Sequence, residues 1–367
     1  MINLRFFPSR QITLYMARLF FTRSFAVLFA LVLILMTLDL LGNSGDILAQ
    51  PSNGDAELWR YVGLRIPQLI ARFLPFSVLL GTLITLVGLN QHSEIVTMKA
   101  AGVSAHQIIA PLILAGFVVA LFNFAFNERI VARANAALSA WEAVDYGPIP
   151  PEARIQNNVW VQYGDDLILA RRVSGHGRDV RLAGITVFDR SGGTLRAILN
   201  AEHGHLAPGG RGWALDNATL FTVDTGQLAR MARVTFGEDI GPDRFTLARV
   251  DPDEQDFWAL RRSIDALRSA GRPTETLESS LWHKIAGPLS TVLMPLLAAI
   301  AAFGLARSGQ LFVRAVLGMA LGFAYFVADN FALAMGNFGA YPPLLAAWGP
   351  FLLFLLVGEA VLIRTEE

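Results

Sequence analysis

The sequence predicts a membrane α-helical protein with six transmembrane helices, three plus three, around an inserted antiparallel β domain of jelly-roll-like character. Composition gives the first indication: 53% of the 367 residues are hydrophobic and only 16% are charged, against roughly 25% charged in an average soluble domain. The apolar residues are gathered into six blocks, each long enough to cross about 30 Å of hydrocarbon at about 1.5 Å per residue. Between the third and fourth blocks the pattern changes to short alternating runs broken by Gly, Asp, Asn and Pro, which is strand punctuation.

The first three blocks are Ser24–Leu41, Ile66–Leu89 and Ala105–Phe126. The second three are Leu281–Ala306, Leu311–Met335 and Leu344–Ile363. The first differs from a cleavable signal peptide in its length and in having no small-residue cleavage site behind it. Pro111, Pro288 and Pro295 inside the blocks predict kinks, with neighbours satisfying the carbonyls that proline frees.

Arg5, Arg10, Arg18 and Arg23 precede the first span, Lys99 lies between spans two and three, and Arg307 and Arg314 flank the turn between four and five. The positive-inside rule assigns all three places to the cytoplasmic side. With six spans both termini are then cytoplasmic, and residues 127–280 lie outside. The chain divides into residues 1–126, the β domain at 127–280, and residues 281–367.

Within the β domain, Val159–Tyr163, Leu167–Val173, Ile185–Phe188, Leu195–Asn200, Trp213–Val223 and Leu228–Phe236 alternate as strands. Turns are expected at Tyr163-Gly164-Asp165-Asp166 and Ser191-Gly192-Gly193. Phe257, Leu260, Ile264 and Leu267 then recur at helical spacing, predicting an amphipathic helix over about 256–270 that packs on the β domain or lies on the membrane surface, the first being the blander reading.

Catalytic signatures are missing from the sequence. Its only lysines, Lys99 and Lys284, precede Ala100 and Ile285, so no phosphate-cradling loop ending in Lys-Ser or Lys-Thr exists. Neither the His-Glu-x-x-His zinc spacing nor a Gly-x-Ser-x-Gly turn occurs. There are no cysteines, which excludes disulfides and thiol chemistry. His203-Gly204-His205 puts two imidazoles on one side of a strand, but without an evident third ligand it reads as a polar strand end. A net charge of zero speaks against nucleic acid as a partner. No catalytic residue, metal site or cofactor is assigned.

The most informative segment is the corner between spans two and three, residues 90–104. It reads as a short helix at about 91–101 stopped by Gly102, after which Ser104 and Gln107 form a capping box for the next span. A helix at such a corner acts as a lever, because a partner pressing on it moves two spans at once. A merely structural corner is the competing reading.

This corner, Ser93-Glu94-Ile95-Val96-Thr97-Met98-Lys99-Ala100-Ala101-Gly102, read with Arg72-Phe73-Leu74-Pro75-Phe76, resembles the LptF/LptG family of lipopolysaccharide export ABC transporter permeases, on the LptG side. Val250-Asp251-Pro252-Asp253, Leu281–Ser290 and Tyr341-Pro342-Pro343 add to the likeness, as does the plan of six spans divided by a periplasmic jelly roll.

The resemblance implies a permease in the bacterial inner membrane that extracts lipopolysaccharide and passes it towards the outer membrane. Its partners would be a cytoplasmic LptB-like ATPase dimer, which uses the ATP, a homologous LptF-like permease, LptC/LptA-like periplasmic bridge proteins, and lipopolysaccharide amid membrane lipid.

By the same resemblance Glu94, with Ser93, Met98 and Gly102, couples to the ATPase. Arg133 matches a position that touches the sugar-phosphate head; Arg129, Arg65, Arg72 and Arg60 join it by depth alone. The lateral gate would draw on Met36, Asp39, Gly318, Gly322, Phe323 and Phe326, with Phe331 a further acyl contact. Relatives carry lysines at the outer end of span one, where Met36, Gly42 and Asn43 stand here.

Asp329, an acid in an apolar helix, reads either as a relay for protons or ions or as a locally hydrogen-bonded group. Alternative functions are a permease for another lipid or lipoprotein, and a membrane-anchored periplasmic enzyme or binding module.

Overall fold

The computed structural model describes residues 8–148, 156–175, 179–191, 194–207, 212–237, 240–242, 245, 250–269, 272–304 and 311–366. They form two compact units: residues up to Ser139 together with those from Pro252 onward, and Ala140–Asp251 between them. The β unit is thus narrower than the 127–280 drawn from composition, since residues 127–139 and 252–280 pack with the membrane helices.

The helical unit contains α1 (Arg10–Leu48), α2 (Asp55–Gln91), α3 (Glu94–Ala100), α4 (Ala105–Phe126), a π turn (Asn127–Val131) and α5 (Ala132–Glu142). After the β unit come α6 (Phe257–Ser269), α7 (Glu275–Ala299) with a π turn at Ile300–Gly304, α8 (Leu311–Asn337) and α9 (Pro343–Glu366). Six helices among the described residues are long and apolar enough to cross a membrane.

Several run well past the apolar blocks that announced them. An apolar block measures the hydrocarbon, whereas a helix ends where its backbone is capped. Ser9 accepts the Ile12 N–H to start α1, and the Glu57 carboxylate accepts the Gly54 N–H at 2.8 Å to start α2.

Small residues set the helix spacing. A Cβ on Gly81 of α2 would lie 2.6 Å from both the Cα and the amide nitrogen of Ser24, so α1 and α2 touch backbone to backbone there. A Cβ on Gly116 of α4 would lie 3.0 Å from the Thr291 carbonyl of α7, the group whose helical donor Pro295 removes. The buried hydroxyls of Thr82 and Thr85 are satisfied within their own helix: Thr82 donates to the Val78 carbonyl and Thr85 to that of Gly81, each at 2.7 Å.

Among the described residues the β unit is one sheet of six strands in sequential order, every neighbouring pair antiparallel. They are β1 (Gln156–Tyr163), β2 (Asp166–Ser174), β3 (Arg181–Ser191), β4 (Thr194–Leu206), β5 (Trp213–Thr222) and β6 (Gln227–Phe236). All six expected strands are present, several longer than expected, and among the described residues they follow one another as a meander. Of the two expected turns, Gly164 adopts φ +60° between β1 and β2, while Gly192-Gly193 lies outside the described residues.

One face of the sheet carries the core, with Val159, Ile168, Ile185, Leu199 and Leu215 among its buried residues. Trp213 closes it, stacked edge-on to Phe245 and donating its indole N–H to the Ile240 carbonyl at 2.9 Å.

Substituting Gly81 with Ala is expected to force α1 and α2 apart and cost about 1–3 kcal/mol. Gly63→Ala, where nothing lies within 4 Å of the new methyl group, is expected to be neutral or stabilising by up to about 1 kcal/mol. Thermal unfolding in detergent micelles compares the two.

Candidate coupling corner and polar lock

The corner is built by turns that only certain backbones accept. Ser93, at φ +57°, leaves α2 in the left-handed region, and Glu94 opens the seven-residue α3. At the other end Gly102 takes φ +84°, while its N–H reaches the Lys99 carbonyl and that of Val103 the Met98 carbonyl. Ser104 and Gln107 then exchange hydrogen bonds at 3.2 and 3.1 Å, the expected capping box for α4.

A helix of two turns is not stable alone in water. Ile95 holds it, buried in the core cluster that also contains Met16 and Phe20 of α1 and Ile108 of α4, with Met98 and Val103 packed against that cluster. The other face is open: Val96 is 60% exposed, and Thr97, Lys99 and Ala100 are exposed with it.

Glu94 does more than cap. Its Oε1 accepts a hydrogen bond from the Tyr15 hydroxyl of α1 at 3.2 Å, so the corner is tied to the first helix as well as to the second and fourth.

Towards the opposite end of α1 and α2 lies a polar lock. Arg65 donates through Nε and Nη2 to the two oxygens of Asp39, at 3.1 and 2.9 Å. The Tyr61 hydroxyl adds a third bond to Asp39 at 2.7 Å, and the Gln68 side-chain oxygen accepts from Arg65 Nη1 at 2.7 Å. In such a fork–fork pair each charge meets its complement in two parallel bonds. Met36, one turn below Asp39, is buried.

The structure therefore divides the expected head-group arginines. Arg65 is engaged with Asp39, whereas Arg72, Arg129 and Arg133 are exposed.

The expected gate residues divide likewise. A Cβ on Gly318 would meet the Leu83 methyl groups at 2.7 Å and one on Gly322 would run into Leu79, so this face of α8 is filled by α2 of the same chain. Phe326 stacks edge-on to Phe76 of α2 with ring centres 5.3 Å apart. Phe323 and Phe331 point outward, each more than half exposed.

Sequence reasoning missed three partnerships: Tyr15 with Glu94, Arg65 with Asp39, and His283 with Asp329. In the last, Nε2 of His283 on α7 lies 2.9 Å from Asp329 Oδ2 on α8. The available signal was the cost of an ionisable group inside an apolar helix, which demands a partner without naming it. In the β unit, Nδ1 of His205 lies 3.3 Å from Asp216, which Arg233 also binds at 2.7 Å. The Arg233 hydrogen bond holds the Asp216 carboxyl below its usual range.

The sequence that forms these elements matches a family model along nearly its whole length. The model for the lipopolysaccharide export system permease LptF/LptG matches residues 14–364. The chain belongs to this LptF/LptG family.

LptG of Escherichia coli K12 is 26% identical over 314 residues, which cover 83% of this chain and 84% of that protein. Haemophilus influenzae LptG is also 26% identical, over 86% and 88% of the two chains. Escherichia coli K12 LptF is 25% identical over 93% and 91%. Identity is marginally higher to LptG, the side expected from the corner. Membership in LptF/LptG places the chain among transport permeases rather than enzymes and makes it a multi-pass membrane protein.

Asp39→Ala is expected to leave the Arg65 charge without a carboxylate and to cost about 1–3 kcal/mol. Asp39→Ala with Arg65→Ala is expected to cost less than the sum of the two single changes. A double-mutant cycle from unfolding in detergent reads the difference; simple additivity would show that the lock contributes no coupling.

Proposed function

We propose that the chain is the LptG-like permease subunit that extracts lipopolysaccharide from the bacterial inner membrane and passes it to an LptC/LptA-like periplasmic bridge for outer-membrane assembly. It works beside an LptF-like permease and is driven by an LptB-like ATPase dimer. The observation that carries this reading is the corner at Glu94. A short helix anchored by a single buried isoleucine and presenting an open face is what an external motor needs to grip.

The mechanism follows from the packing. The motor seats against Val96, Thr97 and Lys99, with the Glu94 carboxylate facing a basic group of the ATPase, while Ser93, Met98 and Gly102 keep the helix in place. Displacing α3 then moves the adjoining ends of α2 and α4 together, and α1 follows through Tyr15 and the shared core. Charge placement supports the orientation: Arg10, Arg18, Arg23 and Lys99 lie at or near the corner end, the cytoplasmic one by the positive-inside rule. Both termini are then cytoplasmic and the β unit is periplasmic.

The cargo is a lipid with phosphates on its head and several acyl chains. Arg133, Arg129 and Arg72 are its head-group contacts in this reading, exposed and able to meet phosphate oxygens. Arg65 takes the lesser part, because Asp39 already occupies its fork. The acyl chains pass the outward aromatic side of α8 at Phe323 and Phe331, beside Phe326, where a gate against the partner permease would open.

Glu94→Ala, reconstituted with the ATPase and partner permease in proteoliposomes, is expected to lower ATP-driven lipid release at least about tenfold. Unchanged assembly and release would defeat the coupling role. Arg133→Ala is expected to weaken photocrosslinking to lipopolysaccharide several-fold, and unaltered crosslinking would remove it from the head-group site.

A further inference from the structure

The amphipathic helix α6 carries an inference that does not rest on the transport reading. Two pins fix its depth. At its start, both oxygens of Glu128 accept the Phe257 N–H at 2.9 Å; near its end, Arg268 Nη2 binds Glu278 Oε1 at 2.6 Å. Glu128 stands two residues beyond Phe126, where the apolar block of α4 ends, and Glu278 three residues before Leu281, where that of α7 begins. A third tie, from the Asn135 amide to the Asp253 carbonyl at 2.8 Å, fixes the approach to α6.

A helix held at both ends by groups at the rim of the hydrocarbon lies across that end of the bundle. Its 13 residues reach about 20 Å at the ordinary rise.

The faces of α6 then have different neighbours. Phe257, Leu260, Ile264 and Leu267 are buried, so the apolar stripe is already covered by protein. Outward stand Trp258, 62% exposed, with Arg261 and Arg262, and Asp265 is the one acid on this side. Asp265 lies 4.0 Å from Arg268; among the described residues neither Arg261 nor Arg262 pairs with a carboxylate. The same end carries Trp59 after the α1–α2 turn, Trp282 near the start of α7, and Phe338 and Tyr341 between α8 and α9, all exposed. Aromatic rings gather in this way at the water–hydrocarbon boundary.

We propose that α6 is an interfacial helix whose outward face, Trp258 with Arg261 and Arg262, rests on the head-group layer of the surrounding bilayer and recruits anionic phospholipid there. With its apolar stripe turned inward, it grips phosphates rather than acyl chains. The arginine stems lie along the boundary while their guanidinium groups meet the lipid phosphates.

The absence of cysteine from the sequence makes the test direct. Nitroxide labels are placed on Trp258→Cys and, as an aqueous reference, on Trp160→Cys in β1, in the full chain in phosphatidylcholine nanodiscs with and without phosphatidylglycerol. The label at 258 is expected to be shielded several-fold from a water-soluble nickel chelate relative to that at 160. Equal accessibility overturns the proposal.

In the same nanodiscs, Arg261→Glu with Arg262→Glu is expected to lower the phosphatidylglycerol retained by the protein, measured by native mass spectrometry, by about fivefold or more. Unchanged retention overturns the lipid assignment. So does an arginine-dependent enrichment of added lipopolysaccharide in place of phosphatidylglycerol, which would give this face to the cargo.

Discussion

Within hydrocarbon every polar group must find its partner inside the protein. That constraint organises the helical unit. Asp39 and Arg65 stand on helices otherwise rich in Leu, Ile and Phe, and the two bonds between them, with Tyr61 as a third, let each remain there. His283 and Asp329 give α7 and α8 the same solution. Arg23 meets the demand by donating to the Ile84 backbone carbonyl at 2.7 Å, lying over Gly88, where a side chain would crowd the guanidinium. Each pair joins two helices, so satisfying the polar groups also fixes which helices are neighbours.

The same constraint bears on movement. A helix joined to its neighbour only by methyl groups can slide at little electrostatic cost, whereas one pinned by a fork–fork pair moves with its partner or breaks the pair. α1 and α2 are bound by the lock at one end, by the Ser24–Gly81 approach further along, and by Arg23 nearer the corner. They are therefore constrained to move as a pair. α8 is held to α2 by packing at Gly318, Gly322 and Phe326, and to α7 by the His283–Asp329 pair and by the Thr276 hydroxyl, which donates to the Asn337 carbonyl at 3.0 Å. Its outward aromatic side, at Phe323 and Phe331, is exposed.

Much of this was legible in the sequence because it depends on one-dimensional patterns. Block length announced the six spans, alternation announced the six strands, and residues 102–107 carry the turn and cap that the structure contains. Pairings between segments far apart were not legible. Nothing in the local pattern links Asp39 to Arg65, 26 positions on, or Glu94 to Tyr15, 79 positions back. For Gly318 and Gly322, small size foretold a close approach, but not that Leu79 and Leu83 of the same chain would make it. The amphipathic stripe of α6 foretold a buried face but not what holds the helix ends, which are Glu128, remote in sequence, and Glu278, ten positions beyond Arg268.

The lock also changes which charges are left for a ligand. By depth alone Arg65, Arg72, Arg129 and Arg60 were equivalent candidates beside Arg133, yet a guanidinium already joined to a carboxylate has little left to give a phosphate, and freeing Arg65 would leave Asp39 uncompensated near hydrocarbon. Of Arg65, Arg72, Arg129 and Arg133, those left exposed are Arg72 on α2 and, at the far end of α4, Arg129 and Arg133 on and just beyond the π turn. A π turn rotates the residues that follow it relative to an unbroken helix. The direction in which Arg133 is presented is therefore a property of Asn127–Val131 as much as of the arginine itself.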